Sequence, residues 1–293
     1  MIRYALSTSS FGGVVNEQTA AALRQSKFRN FELIFPVDAF GEKMQGNCRM
    51  IRQLVKEGVM NIPSVHMPFH NGTLWDASYP DEAIRKSIVD NHIRLIRECH
   101  DMTGSLITMH ASGEPPMEEH PVRMDKICRT LEDMMPLAEE FGLCYNIEFL
   151  PRTCIGNCVE EIQQITANFD ADRVGVCLDV NHIMDRYREL PDIIDTLAPR
   201  IKAFHISDYD GIDETHWMPG QGVYDWAEIL RHIRKIDHDV LLIFETNMQL
   251  KRTDRVIDPI FALRQNEKAC WFMENYERLT AELENFVIPG NER

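Results

Sequence analysis

The chain has 293 residues, 44% of them hydrophobic, which is enough core for one large α/β barrel or for two small domains. Asp and Glu outnumber Lys and Arg by 46 to 31, which gives a formal net charge of -15. A surface this acidic repels phosphate backbones and anionic membranes, and the sequence contains no Lys/Arg cluster large enough to offset that repulsion. We therefore expect neither nucleic acid nor a membrane among the partners.

Cysteine usage and the N-terminal sequence indicate a compartment. The eight cysteines are scattered through predicted helices and strands, which is typical of a reducing environment rather than of a disulfide framework. The chain passes from Met1 directly into an apolar strand pattern, without the pattern of a cleavable leader. No uncharged apolar run approaches the ~18 residues of a membrane span. These features predict a soluble, cytoplasmic protein.

Eight short apolar runs, each typical of a buried strand, alternate with helical patterns along the chain. In chain order the predicted strands are 2–7, 31–35, 63–67, 105–110, 145–148, 174–179, 201–205 and 240–245. The predicted helices are about 16–25, 47–57, 80–102, 122–141, 159–167, 192–197, 224–236 and 265–286. Residues 247–264 are a polar insertion before the last helix.

This alternation predicts a parallel sheet covered by helices, and eight units predict an α/β fold of the (β/α)8 TIM barrel type, as a single domain over residues 1–293. An open doubly wound sheet is the alternative. It usually carries a glycine-rich phosphate turn after its first strand, and Phe11-Gly12-Gly13 lacks the spacing of that fingerprint. The barrel is therefore favoured.

Several predicted strands end in, or are followed at once by, a side chain that can bind a divalent metal. These residues are His66, His110, Glu148, Asp179 with His182, His205 and Glu245, and the loop after the seventh strand adds Asp213, Glu214 and His216. In a barrel of this type the carboxyl ends of the strands form the active site. Carboxylates that converge there raise one another's pKa values unless a cation is present. A mixed carboxylate and imidazole set suits Zn²⁺, Mn²⁺ or Co²⁺ better than Ca²⁺, and we expect Mg²⁺ less than these three.

The motif Cys-Leu-Asp-Val-Asn-His at 177–182 and the loop 216–222 resemble the xylose isomerase-like TIM barrel superfamily. It includes sugar-phosphate isomerases, ketose 3-epimerases, inosose dehydratases and endonuclease IV, and the resemblance extends from Glu32 to Glu245. It implies that one metal is held by Glu148, Asp179, His205 and Glu245. It also implies that the two glutamates move the proton at the substrate carbon and that His182 contacts substrate oxygens.

Endonuclease IV leaves a second interpretation open. The resemblance implies three zinc ions there, with further ligands that match His66, His110, His182 and His216, and Glu214 stands where that enzyme has Asp. The ligand types therefore do not exclude a site with two or three metals. The net charge of -15 and the lack of Lys/Arg-rich loops argue against DNA repair.

The sequence thus predicts a divalent-metal-dependent isomerase or epimerase of a small sugar, sugar phosphate or cyclitol, acting by proton transfer through an enediolate. Glu148 and Glu245 are the predicted acid and base, and the predicted substrate contacts are His66, His110, His182, His216 and Trp75. The alternative is an endonuclease IV-like phosphodiesterase with two or three zinc ions. A barrel that only binds a ligand is disfavoured by the intact strand-end glutamates. Arg152 is interpreted as a surface ion pair, and assembly into a homo-oligomer stays open.

Overall fold

The structure is a computed structural model that describes residues 1–69, 72–247 and 258–284, with side chains described up to residue 276. Within these ranges eight parallel strands close into one barrel in sequence order, with the first strand beside the last. The strands are β1 (Ile2–Ser7), β2 (Asn30–Ile34), β3 (Asn61–His66), β4 (Leu106–Met109), β5 (Cys144–Glu148), β6 (Val174–Asp179), β7 (Ile201–Ile206) and β8 (Val240–Phe244). The predicted (β/α)8 barrel is confirmed.

Helices surround the barrel in the described ranges. They are α1 (Glu17–Gln25), α2 (Glu42–Lys56), α3 (Gly72–Trp75), α4 (Glu82–Cys99), α5 (His120–Phe141), α6 (Val159–Thr166), α7 (Leu190–Leu197), α8 (Trp226–Ile233) and α9 (Pro259–Glu284). Short 3₁₀ segments lie at Thr8–Phe11, Met117–Glu119 and Asn181–Glu189. Across the described helices we find no stretch both long and apolar enough to cross a bilayer.

Side-chain caps explain where several helices begin. The side chain of Asn16 accepts a hydrogen bond from the backbone N–H of Thr19 at the start of α1. Asp81 at α4 and Asp225 at α8 each accept two such bonds from the first helical turn. A cap of this kind satisfies backbone donors that have no partner inside the helix, so these local sequences fix the helix starts.

Two helices begin five or six residues earlier than the sequence predicts. Helix α2 begins at Glu42 rather than at residue 47 and continues through Gly46, because burial of Met44 offsets the roughly 1 kcal/mol that glycine costs in a helix. Helix α9 begins at Pro259, where proline is tolerated in the first turn, so residues 259–264 belong to the helix and not to the polar insertion. Residues 248–257 of that insertion lie outside the described residues.

A small apolar cluster forms the floor beneath the carboxyl ends of the strands. Its buried members, separate from the main core between strands and helices, are Ala5, Cys177, Ala203, Leu241 and Ile243. Successive side chains of a strand point to opposite faces, so residues two apart share the barrel interior. Because Cys177, Ala203 and Ile243 each precede a predicted ligand by two residues, the ligands project into the same interior, one layer higher.

Candidate metal centre

The carboxyl ends of β5, β6, β7 and β8 bring four predicted ligands together. Asp179 and His205 are paired in register across β6 and β7, and Glu148 closes β5. One ligand atom from each of Glu148, Asp179, His205 and Glu245 lies within 4.8 Å of all the others. Three of them are fully buried, whereas the Glu245 side chain is 19% exposed. The cluster could therefore hold one metal ion that is reached from the side of Glu245.

The Nδ1 atom of His205 lies at the middle of this cluster. It is 2.9 Å from Oε2 of Glu245 and 3.1 Å from Oε1 of Glu148. Oδ2 of Asp179 is 3.7 Å away, beyond hydrogen-bonding distance. One imidazole nitrogen thus faces three carboxylates in the barrel interior.

Asp179 tests whether these residues fit a cation. Its Oδ1 accepts the backbone N–H of Asn181 at 2.7 Å, but its buried Oδ2 has no hydrogen-bond partner in the described chain. A buried carboxylate oxygen without a partner is costly unless a cation satisfies it. Three carboxylates and one imidazole are ligands accepted by Zn²⁺ and Mn²⁺, so the donor set fits a divalent metal.

Two further groups of possible ligands flank the first and share residues with it. One is His66, His110 and Glu148; the other is Asp179, His182 and His216. Oε2 of Glu148 is 2.9 Å from Nε2 of His66 and 3.1 Å from Nε2 of His110. Glu148 and Asp179 therefore each belong to two groups, which is the arrangement expected of carboxylates that bridge neighbouring ions.

Glu214 stands between two of these histidines. Its Oε1 is 3.4 Å from Nε2 of both His182 and His216, while its Oε2 accepts a hydrogen bond from Arg152 at 2.7 Å. Burial raises the pKa of Glu214, but the two histidines outweigh it and lower the pKa far below the usual range. The loop after β7 thus supplies a charged carboxylate to the group of Asp179, His182 and His216.

Two buried histidines of the centre, His66 and His182, are charged because of their carboxylate neighbours. Burial lowers the pKa of His66, but the hydrogen bond and charge of Glu148 raise it to about 9. Burial likewise lowers the pKa of His182, whereas the charge of Asp179 and the hydrogen bond to Glu214 raise it to about 10. These imidazolium protons neutralise the carboxylates, and metal binding would have to displace them.

The two glutamates of the four-residue cluster are ionised despite burial. Burial raises the pKa of Glu245, and the charge of His205 outweighs this and lowers the pKa to about 2. Burial also raises the pKa of Glu148, but the charge of His205 and the hydrogen bonds from His110 and His205 hold it well below its usual range. Both carboxylates are therefore available as ligands or bases at neutral pH.

A cavity of about 270 Å³ opens above the cluster. Its lining includes the predicted residues His66, His110, Glu148, His182, Glu214, His216 and Glu245, together with Phe69, Ser112, Gly113, Glu114, Leu150, Pro151, Arg152 and Cys154. Asp179 and His205 lie beneath it, fully buried. This volume is just below the roughly 300–1,000 Å³ of typical ligand sites, so it fits one small molecule.

Trp75, predicted to contact substrate, does not line this cavity. Its indole is buried, donates from Nε1 to the carbonyl of Val37 at 2.9 Å and stacks on Phe40. The side chain joins the loop after β2 to the chain after β3. Loop packing thus satisfies both the ring and its N–H, and the substrate contact stays a prediction without support from this cavity. Phe69 takes the position of an aromatic wall, stacked on His110.

Two buried carboxylates near the centre were missed at the sequence level. Glu32 on β2 accepts a hydrogen bond from Nε2 of His205 at 3.0 Å. Asp208, after β7, accepts from the N–H of Gly220 and from Nε1 of Trp226 and so anchors the loop that carries His216. An acid inside the apolar run 31–35 was the available signal for Glu32. Asp208 had no such signal in the sequence, because its partners lie twelve or more positions away.

Backbone strain is concentrated around the cavity. In the described chain, the non-glycine residues with positive φ are Arg152 (55°), Met184 (54°) and His216 (50°). Two of them line the cavity, and Met184 belongs to the 3₁₀ segment that follows β6. Such conformations cost of order 1–3 kcal/mol each and are found where the surrounding structure holds functional loops in place.

Fold and site together define a closed (β/α)8 barrel with a candidate metal centre at the carboxyl ends of its strands. Residues 20–265 match the family described as the xylose isomerase-like TIM barrel. The chain belongs to this family.

Curated relatives match the chain at low identity. A protein of uncharacterised function from Methanocaldococcus jannaschii is 24% identical over 187 residues, which are 62% of this chain and 63% of that protein. Fructoselysine 3-epimerase of Shigella flexneri is 22% identical over 193 residues, 64% of this chain and 68% of the epimerase. The match to the first relative spans less than two thirds of its length.

Solved structures share the fold over nearly the whole chain. The D-psicose 3-epimerase of Clostridium cellulolyticum H10, solved with D-tagatose, has a TM-score of 0.71 at 15% identity and covers 93% of this chain and 98% of its own. The IOLI protein, solved with a zinc atom, has a TM-score of 0.72 at 15% identity, with coverage of 94% and 98%. At such identities the likeness shows the fold alone.

Proposed function

We propose that this protein is a divalent-metal-dependent epimerase or isomerase of a small, uncharged sugar. The observation that carries the proposal is the pair of ionised glutamates, Glu148 and Glu245, on either side of His205 Nδ1 in a four-residue cluster that fits a metal. Both glutamates line the small cavity above the cluster. The epimerases among the relatives and structural neighbours support the same class of reaction.

The two glutamates have unequal surroundings, which suggests unequal roles. Both oxygens of Glu148 are engaged by histidines, Oε2 by His66 and Oε1 by His205. Glu245 is the more exposed of the pair and has its Oε2 on His205. We therefore assign removal of the proton from the substrate carbon to the Glu245 carboxylate, which then releases it to solvent. Glu148 would pass a proton from the His66 imidazolium, whose Nε2 is 2.9 Å from its Oε2, to the other face or neighbouring atom.

A bound divalent metal would supply Lewis-acid polarisation of the sugar's carbonyl and hydroxyl oxygens. The chain's own residues do the rest. His182, whose Nδ1 is held 2.9 Å from the carbonyl of Phe149, presents Nε2 toward the cluster and would donate to a substrate oxygen that gains negative charge. Phe69 covers the imidazole of His110 and limits water at that wall of the cavity.

The charges of the cavity favour an uncharged substrate over a sugar phosphate. Arg152 is the guanidinium in its lining, and three carboxylates already surround it. Glu214 lies 2.7 Å, Asp213 3.0 Å and Glu114 3.6 Å from its nitrogens. A phosphate would have to displace these partners and approach further carboxylates, which costs like-charge repulsion.

Solvent exchange tests the proposal. Metal-loaded protein is incubated in D2O with a panel of ketopentoses and ketohexoses, and NMR follows deuterium at the carbon next to the carbonyl. We expect exchange together with a new epimer or isomer, and an approximately 10²-fold slower reaction in Glu245→Gln. Glu228→Gln on the exposed face of α8 is the matched control and should react like the parent. Conversion without solvent exchange would replace the acid–base roles by a hydride shift, and no conversion of any sugar would remove the proposal.

The grouping of the possible ligands also supports a second candidate function, that of a phosphodiesterase with several metal ions. Glu148 and Asp179 are each shared between neighbouring groups of possible ligands, so the centre offers three adjoining sites. An endonuclease IV-like phosphodiesterase would use such a set. The acidic chain and the small, acid-lined cavity weigh against a nucleic acid substrate.

Metal stoichiometry and DNA cleavage separate the two candidates. We expect the sugar reaction to need one tightly held ion, and we expect negligible affinity for duplex DNA with an abasic site at physiological salt. Three zinc ions per chain, with salt-dependent binding and strand cleavage at the abasic residue, would favour the phosphodiesterase instead.

A further inference from the structure

Glu32 lies outside the four-residue cluster but contacts its central histidine. The two nitrogens of the His205 ring face opposite partners. Nδ1 points to Glu148, Asp179 and Glu245, whereas Nε2 is 3.0 Å from Oε2 of Glu32. Glu32 and His205 are both fully buried, so no water competes for this contact.

The second oxygen of Glu32 is also occupied. Ser64, aligned with Glu32 across β2 and β3, donates its hydroxyl to Oε1 at 2.8 Å. Each oxygen therefore has one donor, and the carboxylate is fixed in orientation between β3 and β7. With both oxygens used in this way, Glu32 is not itself one of the grouped metal ligands.

Histidine binds a metal through a nitrogen that carries no proton, so an interaction must hold the proton on the other ring nitrogen. A carboxylate that accepts a hydrogen bond from Nε2–H stabilises the tautomer with the proton on Nε2. The ring is further held by stacking on His66, with centroids 5.6 Å apart and planes at 21°. Tilting the His205 ring would lose this stacking, and flipping the ring by 180° would lose the Glu32 contact.

We propose that Glu32 is a positioning residue that keeps the proton of His205 on Nε2 and so presents Nδ1 to the metal. The inference rests on the metal dependence in the proposed function, but not on the sugar chemistry. Its consequence is that metal affinity depends on a residue of β2, on a different side of the barrel from the ligand-bearing strands β5 to β8.

Two substitutions that nearly keep the shape of Glu32 show whether it acts by positioning His205 or only by filling space. Glu32→Leu fills similar space but leaves His205 Nε2–H without an acceptor, and we expect the dissociation constant for the first Zn²⁺ to rise 10–100-fold. Glu32→Gln keeps an oxygen that can accept from Nε2–H and should lose less than Glu32→Leu. Competition with a chromophoric chelator measures these constants without any substrate.

Thr108→Val is the matched control for a change in the barrel interior. Thr108 is fully buried in β4, two strands from β2, and its hydroxyl has no hydrogen-bond partner in the described chain. This variant should bind Zn²⁺ as the parent does. If Thr108→Val weakens binding as much as Glu32→Leu, or if Glu32→Leu binds like the parent, the positioning role is wrong.

A measurement on the parent protein needs no variant. In zinc-loaded protein with ¹⁵N-labelled histidine, NMR should show His205 with a proton on Nε2 and the metal on Nδ1. Zinc on Nε2 would overturn the inference even if every variant failed to fold. Parent protein that binds no divalent metal would instead remove the proposed function, so the two failures are distinguishable.

Discussion

Buried histidines occur in two regions of this barrel and behave in opposite ways. His66 and His182, at the carboxyl ends of the strands, are almost fully buried, yet Glu148 and Asp179 raise their pKa values to about 9 and about 10. His92 on α4 is equally buried, but it packs edge-on against Trp75, and no carboxylate of the described chain forms an ion pair with it. Burial lowers its pKa to about 4. The neighbouring carboxylates, and not burial, therefore set His66 and His182 apart from His92.

His110 lies between these extremes. It is 3.1 Å from Glu148, but burial and the charges of nearby histidines outweigh that carboxylate, and its pKa is lowered. One carboxylate shared among several histidines cannot charge all of them. His110 is thus the histidine of this group that is already suited, as a neutral ring, to bind metal or substrate.

The largest effects are expected when a carboxylate or the imidazole is removed from the strand ends. We expect Asp179→Asn and His205→Ala to lose the tightly held divalent ion, and turnover to fall by about 10³-fold or more, since Lewis-acid stabilisation is worth several kcal/mol. Elemental analysis and activity after addition of Zn²⁺, Mn²⁺ or Co²⁺ measure both effects. Unchanged metal content and activity in both variants would contradict the assignment of the site.

The two glutamates provide a finer test within the same region. Glu148→Gln should weaken metal binding as well as chemistry, because Glu148 contacts His66, His110 and His205. Glu245→Gln should mainly reduce turnover, by about 10²-fold, with metal content retained. Metal titration beside turnover measures the difference. Equal metal loss in the two variants would show that their roles are the same.

His92, in the helix layer, should make the stability of the protein depend on pH. The unfolded state binds a proton at His92 near pH 6.5, but the folded state does so only near pH 4. The unfolded state therefore binds more protons between these values, so this contribution to stability is complete above pH 6.5 and is lost as the pH falls toward 4. His92→Leu should lack this loss, which amounts to roughly 3 kcal/mol at about 1.4 kcal/mol per pKa unit. Denaturant unfolding of both proteins at neutral and at acid pH measures it, and parallel pH profiles would refute it.

The smallest expected effect concerns Trp75, next to His92. Trp75→Phe removes the indole N–H that donates to Val37, and we expect the free energy of unfolding to drop by about 1 kcal/mol. Because Trp75 does not line the cavity, kcat and KM should not change. A raised KM at unchanged stability would instead support the sequence prediction of a substrate contact.

The sequence alone predicts the barrel and places the candidate ligands at one edge of it, for a local reason, whereas the choice of four of them came from the family resemblance. Apolar runs, helical periodicity and capping residues are properties of neighbouring positions, and the carboxyl end of every parallel strand lies at the same edge of the barrel. Glu148, Asp179, His205 and Glu245 stand at or directly after strand ends, so their convergence follows from the fold class. The strand bounds and the cap at Asn16 are local in the same sense.

Barrel closure and loop packing decided the remainder, because those contacts join residues distant in sequence. Glu32 meets His205 only when β2 and β7 enclose one interior, 173 residues apart. Glu148 and Asp179 are shared between groups of possible ligands only through the exact placement of five histidines. Trp75 could equally have faced the cavity by its position in the sequence, and the hydrogen bond to Val37 with the stacking on Phe40 places it among the loops. Sequence thus determined which residues reach the strand ends, and tertiary structure decided which of them touch.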